Sequence, residues 1–191
     1  MRLITVFHGE NATNLGNRNA QIGSNPPMTP DGMEKMLCLV PVIKKLAPFD
    51  AVYSARTART LDTASILALA LNVDFKTIKD LGRHANTDNN ITTAFPGNEN
   101  EDMCTWQKDA LSAVSIIYQT ELRQNEFGRN VSTAEYKVLS VTHKEIIAGL
   151  IGTTKGISDL NGLNDIVNDP HLSRDGFVVF YFDGQSLTKF E

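Results

Sequence analysis

Short β-rich runs alternate with longer amphipathic runs along most of this 191-residue chain, and this alternation constrains the fold strongly. Strand-like runs occupy residues 3–7, 51–54, 73–78 and 137–141. Each is followed by a segment whose apolar residues recur at helical intervals. Strands that alternate with helices predict a mostly parallel sheet covered by helices on both faces. The sequence therefore predicts an α/β fold, a three-layer α/β/α sandwich, in a single domain over residues 1–191.

Three segments fall outside this alternation. Asp183-Gly184 separates two β-rich runs, 176–182 and 185–190, and this dipeptide is a strong signal for a β-hairpin. Residues 80–100 and 155–175 are rich in Gly, Asn and Asp, which predicts irregular structure. We therefore expect a carboxyl-terminal hairpin and two loops of functional interest.

The first predicted helix begins at Thr29, a typical N-cap residue, with Pro30 at its first position. The second should span residues 56–71. Both show an apolar face at helical spacing, made in the first helix by Met33, Met36, Leu37, Val40 and Ile43.

Composition limits the classes of function. The net charge is −4 and no basic run stands out, which argues against a protein that tracks nucleic acid by electrostatics. The amino-terminal apolar run is too short for a signal peptide, and no stretch reaches the ~20 apolar residues of a membrane helix. Cys38 and Cys104 fit no metal-site spacing and predict buried thiols. We expect a cytoplasmic protein that binds neither nucleic acid nor membranes.

Polar clusters directly follow three of the predicted strands. They are His8-Gly9, the segment from Ser54 to Arg59, and Thr142-His143. Parallel strands end at the same edge of a sheet, where open α/β folds place their ligands. Two histidines and an arginine far apart in sequence are therefore predicted to meet in one crevice.

The order and spacing of these motifs resemble those of the histidine phosphatases, also called the phosphoglycerate mutase-like superfamily. The resemblance covers essentially the whole chain. Its matches are Phe7-His8-Gly9-Glu10 with Asn14 and Arg18, Met28-Thr29-Pro30-Asp31-Gly32, Ser54 to Ala64 with Arg59 and Thr63 in register, and Thr142-His143.

The resemblance implies a role for each matched residue. His8 would accept the phosphoryl group as phosphohistidine, which suits an imidazole that is neutral near pH 7. Arg59 would hold two phosphate oxygens, and His143 would donate to a further oxygen in the transition state. No metal or other cofactor is implied, and the partner is a phosphorylated small molecule or a phosphoprotein. The implied phosphate- or substrate-binding residues are Asn14, Arg18 and Gly9.

Each of these assignments has a purely structural alternative. Arg59 could pair with Asp62 on a solvated helix face, and His143 could cap the helix that follows it. Asn14 and Arg18 could be ordinary loop residues. The shared register of His8, Arg59 and His143 favours the functional interpretation for those three.

Two departures from the family pattern bear on activity. The family has Arg immediately before the nucleophile, where this chain has Phe7, and loss of one donor at a reacting phosphate can cost about 10²–10³ in rate. The family's general acid, a Glu in a Leu-x-Glu setting, is matched by Leu81-Gly82-Arg83. The candidates for a compensating cation are Arg56, Arg83 and Lys144, and the candidate acids are Asp80, Asp88, Glu99, Glu101 and Glu145.

Three functions follow from this pattern. The favoured one is a metal-independent phosphatase acting through phospho-His8. The alternative is a catalytically impaired relative, a pseudophosphatase that keeps the anion pocket for binding or regulation. A mutase is favoured least, because it must hold its phosphoenzyme against water with a full set of cations. The sequence leaves the oligomeric state open.

Overall fold

The computed structural model describes residues 1–11, 25–81, 104–126, 136–157, 159–169 and 176–191. Within these ranges no helix is long and apolar enough to cross a membrane. The strands are β1 (Arg2–Phe7), β2 (Ala51–Ser54), β3 (Phe75–Thr77), β4 (Lys137–Thr142), β5 (Phe177–Asp183) and β6 (Ser186–Phe190). The helices are α1 (Pro30–Leu46), α2 (Ala58–Leu71), α3 (Cys104–Glu126), α4 (Lys144–Lys155) and α5 (Leu160–Asn168), with a short 3₁₀ helix at Lys79–Leu81.

The strands form one six-stranded sheet in the order β3-β2-β4-β1-β5-β6. β3, β2, β4 and β1 are parallel, whereas β5 runs antiparallel to β1 and β6 antiparallel to β5. The predicted α/β architecture is thus confirmed, with a mostly parallel sheet closed by a carboxyl-terminal hairpin.

Alternate residues of the central strands bury their side chains on opposite faces of the sheet. In β1, Leu3 belongs to the apolar cluster made with α3, α4 and α5. Ile4 and Val6 belong to the cluster made with α1 and α2, as do Leu139 and Val141 of β4. We call these two sides the α3–α5 face and the α1–α2 face. They confirm the three-layer sandwich.

The hairpin turn lies one residue later than predicted. Asp183 pairs with Ser186, so the two turn residues are Gly184 and Gln185. Gly184 has φ of +56°, in the left-handed region that glycine enters without a steric penalty. The glycine thus takes the first turn position, where a hairpin needs positive φ.

The prediction of irregular structure over residues 155–175 is wrong for α5. This helix begins after Asp159, whose side chain accepts a hydrogen bond from the N–H of Gly162 at 2.9 Å. Leu163 and Ile166, three positions apart, are buried, and α5 packs against α4. Capping and burial of one face therefore overcome the poor helix propensity of the Asn and Gly residues.

The apolar face of α1 is narrower than predicted. Met36 and Ile43 are buried, but Met33 is 46% and Leu37 is 55% exposed. Met33 and Leu37 each directly follow a buried residue, Gly32 or Met36, so their side chains point away from the buried face of the helix. Cys38 is likewise exposed, which corrects the prediction of a buried thiol.

A buried carboxylate ties α3 to the sheet. Glu121 is 4% exposed and accepts hydrogen bonds from Tyr53 of β2 and, at 2.6 Å, from Tyr136 just before β4. Lys76 of β3 also donates to it at 3.1 Å. Burial alone would raise the pKa of Glu121, but these hydrogen bonds hold that pKa below its usual value. The ionised carboxylate therefore stabilises the fold.

We expect Tyr136→Phe to lower the free energy of unfolding by about 1.5–3 kcal/mol, because it removes a buried hydrogen bond to a charged group. Because the folded-state pKa of Glu121 is lowered, its contribution is present above about pH 4.3 and is lost as the pH falls through the folded-state value. Urea denaturation at pH 7 and below pH 4 measures both effects. Tyr181→Phe is the matched control, since that hydroxyl donates to Glu191 at the surface. Equal losses in the two variants would contradict the assignment.

Candidate active site

The parallel pairing of β1 with β4 brings two histidines together. Phe7 lies opposite Thr142, and the next residues along the two strands are His8 and His143. The backbone N–H of His8 donates to the carbonyl of Thr142 at 3.3 Å. Each ring lies two positions beyond a strand residue buried on the α1–α2 face, so both continue that face. Their ring centroids are 5.0 Å apart.

Arg59 reaches both rings from the first turn of α2, which packs on the same face. Its Nε donates to Nε2 of His8 at 3.1 Å, and its Nη2 lies 3.5 Å from Nδ1 of His143. Asp62, the alternative partner, accepts instead from the backbone N–H of Met28 at 3.0 Å. The structure thus brings together the three residues predicted to be catalytic. Their chemical roles stay predictions.

The hydrogen bonds of His8 define which of its ring nitrogens carries the proton. Nδ1 lies 2.8 Å from the carbonyl oxygen of Gly9, which can only accept. Nδ1 is therefore the protonated nitrogen, and Nε2 keeps the lone pair that accepts from Arg59. This tautomer presents Nε2 as a nucleophile next to a guanidinium.

His8 is only 5% exposed, and its surroundings disfavour the imidazolium form. Burial and the charges of Arg59 and Lys144 lower the pKa of His8 to about 3, although the hydrogen bond to Gly9 acts in the opposite direction. Burial also lowers the pKa of Arg59, which the charge of Glu145 raises. A guanidinium still stays protonated at neutral pH. The site therefore pairs a neutral imidazole with a permanent cation.

Glycines pack the first two motifs closely together. A Cβ on Gly9 would lie 2.0 Å from the sulfur of Met28, and one on Gly32 would lie 2.3 Å from the carbonyl oxygen of Glu10. The N–H of Gly9 donates to Oγ1 of Thr63 in α2 at 2.9 Å. Gly9 therefore positions the His8 ring, and its predicted contact with phosphate stays a prediction.

Thr57 supports His143 and was missed by the sequence analysis. Its Oγ1 lies 3.4 Å from Nε2 of His143 and 2.9 Å from Oγ1 of Thr60. Thr57 is also the N-cap residue of α2, which begins at Ala58 rather than at residue 56. His143 is the N-cap of α4, but its ring makes no capping hydrogen bond. The ring lies instead between Thr57 and Arg59.

Phe7 occupies the place of the arginine expected from the family pattern. Its ring lies beside that of His8, with centroids 4.3 Å apart, and packs against the core of the α3–α5 face. The ammonium group of Lys144, at the start of α4, lies 5.2 Å from the Phe7 centroid. A cation other than Arg59 therefore stands close to the site.

The described residues narrow the choice of acid. Asp80 accepts from Ser112 of α3 at 2.6 Å, whereas Glu145 lies in the first turn of α4 and its charge acts on Arg59. No group of three or more His, Cys, Asp or Glu side chains in the described ranges is placed to hold a metal ion. The remaining candidates, namely Asn14, Arg18, Arg83, Asp88, Glu99 and Glu101, lie outside the described residues.

Comparison of the sequence with models of protein families identifies its family. The histidine phosphatase superfamily, branch 1, matches residues 3–169, a range that contains all three of the clustered side chains. No curated protein sequence matches the chain.

Solved structures share the fold at low sequence identity. A phosphoserine phosphatase variant from Entamoeba histolytica, in complex with phosphoserine, aligns with a TM-score of 0.67 at 18% identity, covering 99% of this chain and 95% of that one. A mycobacterial glucosyl-3-phosphoglycerate phosphatase has a TM-score of 0.65 at 16% identity, covering 100% and 96%. A phosphoglycerate mutase from Bacillus anthracis has 0.67 at 16%, covering 98% and 90%.

We expect His8 to stay neutral, with its proton on Nδ1, from pH 8 down to pH 5, because its pKa is about 3. Two-dimensional ¹H–¹⁵N NMR of histidine-labelled protein reads the tautomer directly. In Arg59→Met the pKa of His8 should rise, since a neighbouring positive charge is removed. A His8 ring that titrates near pH 6.5 in the wild-type protein would contradict the assigned environment.

Proposed function

Because the chain belongs to the histidine phosphatase superfamily, we propose that it hydrolyses a phosphomonoester through a phosphohistidine on His8. The observation that supports this most directly is the neutral His8 ring, with the lone pair of Nε2 directed at Arg59 at 3.1 Å. The substrate would be a phosphorylated small molecule or a phosphoprotein.

In the first step, Nε2 of His8 attacks phosphorus and the bond to the leaving oxygen breaks. Incoming phosphate oxygens replace the imidazole as acceptors of the Arg59 hydrogen bonds, which frees the lone pair for attack. His143, 3.5 Å from the same guanidinium, stabilises the charge on the transferring group when it carries a proton to donate. The Gly9 carbonyl holds the Nδ1 proton and so stabilises the cationic phosphohistidine.

In the second step, water attacks phosphorus, the N–P bond breaks, and His8 returns to its neutral form. An acid must protonate the leaving oxygen in the first step, and its conjugate base then takes a proton from the attacking water. Among the described acids we assign this role to Glu145, because it lies in the first turn of α4, two residues after His143, and its charge acts on Arg59. Asp80 is engaged with Ser112 on α3.

A pseudophosphatase is the second candidate, and one observation favours it. Phe7 stands where the family's second phosphate-binding arginine would be, and a phenyl ring donates no charged hydrogen bond. In that case the same pocket would bind a phosphorylated ligand without turnover.

We expect phosphate release from an aryl phosphate between pH 5 and 8, in the presence of a chelator, and its loss in His8→Ala. Arg59→Met should lower kcat by about 10²–10³. Arg2→Met is the control, since Arg2 lies at the opposite end of β1 from His8, and it should keep full activity. Rapid-quench mass spectrometry should place the phosphoryl group on His8. Turnover equal to that of His8→Ala under all conditions would favour the pseudophosphatase.

Glu145→Gln should separate substrates by their leaving groups. An alkyl phosphate leaves as a strong base, so loss of the acid should lower its kcat by about 10²–10⁴. An aryl phosphate leaves as a stabilised phenolate and should be affected much less. Steady-state kinetics on both substrates checks this, with Asp80→Asn as the control. Equal losses on the two substrates would exclude Glu145 as the proton donor.

A further inference from the structure

Lys144 stands where a second cation could reach a phosphate on His8. It is the first residue of α4 and follows His143 directly in sequence. Its ammonium nitrogen lies 5.2 Å from the centre of the Phe7 ring, and that ring is 4.3 Å from His8. The charge of Lys144 is close enough to disfavour the protonated form of His8. Lys144 is therefore an electrostatic neighbour of the nucleophile.

The position of Phe7 explains how this lysine is held. Phe7 ends β1 and packs against the α3–α5 face, whereas Arg59 approaches His8 from the α1–α2 face. The face of an aromatic ring attracts an ammonium group within about 6 Å. Lys144 therefore lies against the ring of Phe7, whereas Arg59 contacts His8 directly.

The location in the helix gives a second argument. The N-terminus of a helix carries a partial positive charge, which disfavours a cation in the first turn and favours a bound anion. Lys144 takes the first helical position of a helix of 12 residues, directly after His143. A dianionic phosphate placed against His8 would offset these positive charges at once.

We propose that Lys144, seated on the ring of Phe7, provides the second cation of the phosphate site in place of the missing arginine. The inference rests on the proposed function only for the nature of the ligand, a phosphoryl group. A lysine is a compact point charge without the planar fork of arginine, so it should strengthen binding while fixing the orientation of the phosphate less tightly.

Binding of inorganic phosphate, measured by isothermal titration calorimetry, tests this proposal without requiring turnover. Lys144→Met should weaken binding about tenfold or more, and Lys144→Arg should keep it within about threefold. Lys155→Met is the matched control, because Lys155 lies in the same helix with its ammonium 5.6 Å from the ring of Phe190 at the far end. It should bind phosphate as wild type does.

Thermal unfolding separates a ligand-binding role from a structural one. If Lys144 serves the ligand, Lys144→Met keeps or raises the Tm without phosphate and loses most of the rise in Tm that phosphate produces. Unchanged phosphate binding in Lys144→Met, or equal weakening in Lys155→Met, would overturn the proposal. Failure of the proposed function is detected by a different measurement, the hydrolysis of an aryl phosphate. That hydrolysis would then be absent, or it would be unchanged in His8→Ala.

Discussion

The backbone hydrogen bonds that pair β1 with β4 in parallel place Phe7 opposite Thr142, so His8 and His143 emerge side by side. A shift of one residue in this register would turn one ring to the opposite face of the sheet, and Arg59 would then contact a single histidine. Ile4 and Leu139, buried beneath α1 and α2, oppose such a shift because it would turn one of them away from the core in which it packs. The core of the α1–α2 face therefore determines the geometry of the site.

That geometry places a buried imidazole next to positive charges, which disfavour its protonation. A buried imidazole beside Arg59 and Lys144 is held neutral, and the Gly9 carbonyl fixes its proton on Nδ1. Burial and these positive charges disfavour protonation of Nε2, and under the proposed function the same charges would attract a phosphate to it. If His8 is the nucleophile, it need lose no proton before attack, and the same charges would favour a dianionic ligand.

Much of this could be predicted from the sequence, for identifiable reasons. The alternation of β-rich and amphipathic runs predicted the sheet, and the Asp183-Gly184 dipeptide predicted its hairpin. The positions of His8, Arg59 and His143 after predicted parallel strands indicated that they would meet. The helix α5 was missed because its Asn and Gly content hid the spacing of Leu163 and Ile166. Contacts such as that of Thr57 with His143 depend on where α2 begins relative to β4, which no local pattern encodes.

Phe7, which replaces the arginine of the family pattern, is best explained together with Lys144, because each residue taken alone is unfavourable for binding or for the helix. A half-buried phenyl ring beside the nucleophile contributes no hydrogen bond to an anion, and a lysine in the first turn of α4 opposes the helix dipole. Together, the ring offers a surface for the ammonium group, and the ammonium group restores a positive charge near His8. Because β1 and β4 are neighbours in register, the second cation can come from the end of either strand.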